Sequence, residues 1–388
     1  MTGTDHAAIE RIDLLAELIG INSVNPNQAG PRSGPGGEAA MAAWLAERAE
    51  LAGAPEVAVD EVEPGRPNVY AHFPGSGGGP TVCIDVHLDT VGVEHMTIDP
   101  FAAEVSDAKV FGRGSVDTKA TLAVVLPVLA ELGRGKALTA DVHLIGTVSE
   151  EAGGLAGAYR MRDWAERAGR RFDRIIVAEP TLCAPVHGHP GGVGMEITVR
   201  GEAAHSSKPQ LGRNAIVAAS RIILALQAEQ DILAAGPAAT AVGTGSLAIT
   251  EIAGGLARNI IPDLCTLYAG RRVAPGEDPE AEYARLRAVI EGAAGDCEVE
   301  VALANGRCSA AFYEDPAAPL VTHLCQLAGA EPATATYGSN ALVYRPIADE
   351  IVVFGPGSID QAHKAVEWIE ISELDRAADI YRRLLSAV

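Results

Sequence analysis

Three apolar runs in this chain end in an acid or a histidine, and that recurrence limits its architecture more than any other feature. Thr81-Val82-Cys83-Ile84-Asp85-Val86 leads into His87-Leu88-Asp89-Thr90. Asp141-Val142-His143-Leu144-Ile145-Gly146 leads into Thr147-Val148-Ser149-Glu150-Glu151-Ala152-Gly153-Gly154. Arg174 to Ala178 leads into Glu179-Pro180-Thr181. Short apolar runs of this kind suit buried strands. Helical periodicity at 6–19, 38–52, 120–132 and 155–168 supplies a covering layer. Ligand sites of open α/β sheets collect at the C-terminal edge. The pattern predicts an α/β domain with a central, mostly parallel sheet flanked by helices.

The character changes near His189. A strand over 194–200, a helix over 214–229, strands near 244–252 and 264–269, a helix over 278–292 and a strand over 298–303 follow one another. That order is βαββαβ, a small ferredoxin-like α+β sheet with two helices on one face. It predicts an inserted domain over 189–305, with 1–188 and 306–388 forming the main domain. A chain of 388 residues suits two such cores.

Composition removes several function classes. The net charge of −21 opposes nucleic-acid phosphates. No apolar run reaches membrane-spanning length, and the N-terminus lacks a basic stretch followed by an apolar one, so a soluble cytoplasmic protein is expected. The six cysteines are scattered without a C-x-x-C pair, which suits buried free thiols in a reducing compartment.

The strand ends carry the chemistry. His87 and Asp89, two apart on extended chain, point the same way, so Asp89 is placed to orient the second ring nitrogen of a metal-bound His87. Glu150 and Glu151 point oppositely and need different partners: one can hold a metal while the other handles protons. Asp117, in the loop Phe111-Gly112-Arg113-Gly114-Ser115-Val116-Asp117-Thr118-Lys119, is either a helix N-cap or a metal ligand. That loop fits neither phosphate-binding glycine spacing. With Glu179 and His363, these donors are imidazole and carboxylate without thiolate, which suits zinc, with cobalt or manganese as substitutes. Five ligands exceed one tetrahedral ion and suit two ions about 3.5–4 Å apart sharing a carboxylate.

Six motifs in order now make the chain recognisable. They are His87 to Thr90, Gly112 to Lys119, Thr147 to Gly153, Ala178 to Thr181, Ala204-His205-Ser206-Ser207-Lys208-Pro209 and Gly355 to His363. The sequence resembles the di-zinc aminoacylase and carboxypeptidase family, which includes acetylornithine deacetylase and succinyl-diaminopimelate desuccinylase. The resemblance implies His87 and Glu179 on one zinc, Glu151 and His363 on the other, and Asp117 bridging with a cis peptide after it. It implies Asp89 behind His87, and His205 as oxyanion donor, reaching from the partner subunit's inserted domain and so making a homodimer part of the active site. Arg272 and Asn259 stand where the family holds the substrate carboxylate, and the Gly357 backbone is placed to approach substrate.

Glu150, bound to no metal, is then the general base that takes a proton from water and returns it to the departing amine. The expected reaction removes the acyl group of an N-acyl amino acid. Gly355 to Lys364 looks most like acetylornithine deacetylase, which makes N-acetylornithine the first choice. N-succinyl-diaminopimelate, a general acyl amino acid or a dipeptide are the alternatives, and a non-catalytic metal-binding relative is the rival from another class. Gly270, Asn340 and Ala365-Val366 depart from the family pattern, on what are expected to be substrate-side loops.

Overall fold

The computed structural model describes residues 3–152, 154–236 and 242–386. Gly153, next to the Glu150-Glu151 pair in the sequence, and Ala387 lie outside the described residues. The chain forms two compact units. The first comprises Met1–His187, Glu314–Ala333 and Ser339–Val388, and the second Gly188–Tyr313 and Thr334–Gly338.

The first unit is built on strands β1 (Glu56–Glu63), β2 (Arg66–Phe73), β3 (Thr81–His87), β4 (Asp141–Thr147) and β5 (Phe172–Val177). A later strand, Ala348–Val353, joins them and is β10 below. Their order is β1-β2-β4-β3-β5-β10. The pairs β4/β3, β3/β5 and β5/β10 are parallel, while β1/β2 and β2/β4 are antiparallel. In β3 and β4 every residue after the first is buried, as expected where helices cover both faces. The helices are α1 (Gly3–Gly20), α2 (Ala39–Leu51), α3 (Lys119–Arg134) and α4 (Ala156–Arg167), with α7 (Pro319–Ala328) and α8 (Ile371–Ser386) from the last third of the chain. α3 is buried almost all round and packs against α1 and α8. β1 has no counterpart in the sequence reading. It is a largely exposed edge strand rich in Glu and Asp, so it carries no apolar run.

The second unit runs β6 (Gly191–Arg200), α5 (Ala215–Ala235), β7 (Ser246–Gly254), β8 (Leu264–Val273), α6 (Pro279–Ala293) and β9 (Glu298–Leu303). Its sheet has the order β7-β8-β6-β9, antiparallel throughout. Val193, Met195, Ile197 and Val199 alternate along β6 and pack with Ala218, Ile222 and Leu226 of α5 and Leu286 and Ile290 of α6. Asn214 and Asp278 cap the two helices through their side chains. The unit runs past residue 305 for a local reason. Phe312–Tyr313 pairs with Gly188 and His189, Ser309 bridges Gly192, and Ala335 donates to the Gly188 carbonyl. No helix among the described residues is long and apolar enough to cross a membrane.

Candidate metal centre

Four neighbouring parallel strands, β4, β3, β5 and β10, bring their C-terminal ends to one edge of the sheet. Each end carries a different polar segment. β3 ends at His87, the Glu150-Glu151 turn follows β4, Glu179 follows β5, and the loop that contains His363 follows β10. Glycine allows these ends to approach: a Cβ on Gly355 would lie 2.7 Å from the Glu179 carbonyl oxygen.

Asp117 stands between two donor groups. Its Oδ1 is 3.0 Å from His87 Nε2, and its Oδ2 is 3.3 Å from His363 Nε2. The same His363 nitrogen lies 3.1 Å from Glu151 Oε2. His87, Asp117 and Glu179 place one ligand atom each within 4.8 Å of one another, and so do Asp117, Glu151 and His363. Asp117 is thus common to two three-donor groups. The peptide after it is cis, as the resemblance implies.

Carboxylates crowd this edge of the sheet. Burial, reinforced by Glu151, Asp89 and Asp117, raises the Glu150 carboxyl well above the ordinary range. Burial and the charges of Asp117 and Glu150 do the same to Glu179, and burial with Asp117 raises Glu151. Burial also opposes the Asp117 anion, but hydrogen bonds from His363 and His87 hold its carboxyl below the usual range. The His363 imidazolium is stabilised in return, its pKa pushed up to about 10 by Asp117 and Glu151. No Lys or Arg is bonded to Asp89, Asp117, Glu150, Glu151 or Glu179 among the described residues. Glu179 Oε1 is buried without a hydrogen-bond partner. An excess of carboxylate over imidazole, with one carboxylate oxygen buried and unpartnered, fits divalent cations with N/O ligands.

The profile of peptidase family M20/M25/M40 matches residues 83–387. The chain belongs to this family. It is 30% identical over 332 residues to an acetylornithine deacetylase of Myxococcus xanthus, covering 82% of this chain and 83% of that one. It is 32% identical over 335 residues to a probable carboxypeptidase of Aspergillus terreus, covering 82% and 73%. Among solved structures, an M20 metallo-carboxypeptidase from Sulfolobus solfataricus matches with a TM-score of 0.79 at 18% identity, over 97% and 98% of the two chains. A Bacillus subtilis protein described as a dinuclear metal-binding M20 peptidase matches with a TM-score of 0.69 at 17% identity, over 99% and 100%. Members of the M20 family are metal-dependent hydrolases, and the fold of this chain is theirs.

Around the M20 centre, several contacts differ from the sequence expectation. His87 Nδ1 lies 2.9 Å from the Asp89 backbone carbonyl, and the Asp89 carboxylate is farther away at 3.7 Å. That carboxylate instead accepts from the amides of Glu150 at 3.1 Å and Glu151 at 3.0 Å and from Asn25 Nδ2 at 2.7 Å. It holds the acidic turn, and the carbonyl orients His87. Asn340 is not on a substrate-side loop. It is buried, and its Nδ2 donates to Asp85 and to Thr147 Oγ1, both at 3.0 Å, while Tyr344 also donates to Asp85. Gly357 has φ +77°, and a Cβ there would lie 2.3 Å from Val116, so the position requires glycine.

Glu367 was not singled out from the sequence. Fully buried and ion-paired to Arg113, it accepts the Val116 amide at 3.1 Å and the Asp117 amide at 3.4 Å. Lys119 Nζ ties the other end of this loop to the Leu18 and Ile21 carbonyls, at 2.8 Å each. Glu367 lies 250 residues from Asp117, too far for any local signal.

His205, Asn259 and Arg272 belong to the second unit. His205 is exposed, and the Asn259 carbonyl accepts the Ser206 amide beside it at 2.9 Å. The Ser207 amide donates to His205 Nδ1 at 3.2 Å, which leaves the ring proton on Nε2 in the neutral form. Arg272 is exposed on β8. Its neighbour Arg271 is buried, with Glu277 at 2.7 Å and Glu282 at 3.1 Å.

Proposed function

We propose that this M20 protein is a di-metal amidohydrolase that removes the acyl group from an N-acyl amino acid, with N-acetylornithine as the first substrate. The observation that carries the proposal is Glu150. Its carboxylate adjoins two donor groups that share Asp117, yet it belongs to neither group and makes no hydrogen bond among the described residues.

His87, Asp117 and Glu179 would hold one ion and Asp117, Glu151 and His363 the other, zinc suiting the donors and cobalt or manganese replacing it. Such ions, when bound, lower the pKa of water and polarise a carbonyl. Glu150 takes the proton of the attacking water and delivers it to the departing amine. The Asp89 carboxylate keeps Glu150 and Glu151 in place through their amides. His205 of the partner subunit donates Nε2–H to the oxyanion in a homodimer, and Arg272 with Asn259 holds the substrate carboxylate.

The deacetylase named among the relatives supports this substrate class, and the carboxypeptidase supports peptide hydrolysis as the second reading. The test is amine release from N-acetylornithine, N-succinyl-diaminopimelate, N-acetylmethionine and a dipeptide, with added zinc or cobalt and a chelator control. Chelator-sensitive turnover of acetylornithine alone is expected. Turnover of the dipeptide alone selects the second reading, and turnover of none with metals bound overturns both.

A further inference from the structure

A second cluster of metal-ligating side chains lies at the opposite end of β4. β2 and β4 pair antiparallel with His72 directly across from His143. Asp141, two residues before His143, shares its face. The imidazoles stack with centroids 4.5 Å apart and planes 8° apart. Both Nε2 atoms face one carboxylate: His72 Nε2 is 2.8 Å from Asp141 Oδ1, and His143 Nε2 is 3.8 Å from Oδ2. One ligand atom from each residue lies within 4.8 Å of the others. Six residues of strand, roughly 20 Å, separate Asp141 from Thr147, so this cluster is remote from the Asp117 centre.

The geometry points to an accessory site for a single borderline divalent cation of the zinc class, held by His72, Asp141 and His143. Two imidazoles and a carboxylate are the donors such ions take, whereas calcium and magnesium need more oxygen. Ligands at i and i+2 on one strand and opposite on its neighbour reach one ion without a loop once the stacked imidazoles tilt, since each nitrogen lone pair lies in its ring plane. The side chains of Asp141 and His72 are 38% and 24% exposed, which opens a path for the ion, while His143 is buried against the edges of Phe172 and Trp164.

A resident cation now competes for this position. Arg170 donates to His143 Nε2 at 2.9 Å, and its guanidinium lies over Trp164 at 4.9 Å. Arginine only donates, so His143 Nε2 carries a lone pair, the state a metal requires. His72 Nδ1 faces Glu56 at 3.8 Å, a further negative charge on the cluster. An ion entering here replaces the Arg170 contact and ties β2 to β4 through their side chains.

The test is zinc binding by the metal-free full-length protein, read by calorimetry and equilibrium dialysis with zinc chloride alone. Wild type, His72→Ala, His143→Ala and Arg170→Met are compared. Both histidine variants are expected to bind one zinc fewer per chain than wild type, with the Asp117 centre unaffected. Arg170→Met is expected to bind that zinc about tenfold more tightly, since a charged hydrogen bond no longer has to be displaced. If His143→Ala fails to fold, His72→Ala, at the less buried histidine, decides alone. A His72→Ala protein that binds as many zinc ions as wild type, with the same affinities, overturns the assignment.

Discussion

The same strand, β4, has at each end a cluster of side chains able to hold a metal ion, and the two are balanced in opposite ways. At the C-terminal end, Glu150 and Glu151 join Asp89, Asp117 and Glu179 around two imidazoles, and no Lys or Arg is bonded to these carboxylates among the described residues. At the N-terminal end, one carboxylate serves two imidazoles, and Arg170 already sits on His143. Cations in the first cluster would relieve its carboxylate repulsion, whereas the second holds a side-chain cation that an ion must displace. Ligand type is similar at both ends. Net charge and the resident arginine set the expected affinity.

Glu150→Ala would break the proposed reading of the first cluster most severely. It should leave the metal content unchanged and lower turnover by about 10²–10⁴-fold, as loss of a general base does. Retained turnover would remove Glu150 from the mechanism. Glu151→Ala should lose one of two ions, measured as metal per chain, because Asp117 and His363 alone make a poor site. Unchanged metal content would refute its place as a ligand. Asp89 and Glu367 supply no ligand atom to either donor group but accept the backbone amides of Glu151 and Asp117, so Asp89→Asn and Glu367→Gln change groups that position ligands. Each should weaken metal binding by about 10–100-fold in chelator competition, the usual effect of residues that orient ligands. No change would leave both residues with a purely structural role. Arg170→Met carries the smallest expected effect. It should make the far cluster bind zinc more like the near one, and equal binding in variant and wild type would end the comparison there.

Much of the near cluster is legible because its signals are local. One mostly apolar strand run ends in His87, and another runs into the Glu150-Glu151 pair just before Gly153-Gly154 in the sequence. The contacts that hold these groups are not local. Asp89 meets Asn25 across 64 residues, and Glu367 reaches the Asp117 amide across 250. Asp89 also shows why a spacing argument goes astray. A shared face requires extended chain through Asp89, but β3 ends at His87, and beyond it the Asp89 carbonyl lies 2.9 Å from His87 while the carboxylate accepts from the acidic turn. The far cluster gave no warning, because His72 and His143 read as ordinary strand residues until the two strands were paired.

The sequence by itself determined that this chain would build a parallel-centred sheet with its donors at one edge, since burial and strand periodicity are written into consecutive residues. Only the tertiary structure decided that Asp117 would be shared between two donor groups. It also decided that Asn340 would lie buried beneath the site, and that Arg170 would compete for the second histidine cluster. Those outcomes depend on distances between residues far apart in the chain, which are set when the sheet and helices pack and not before.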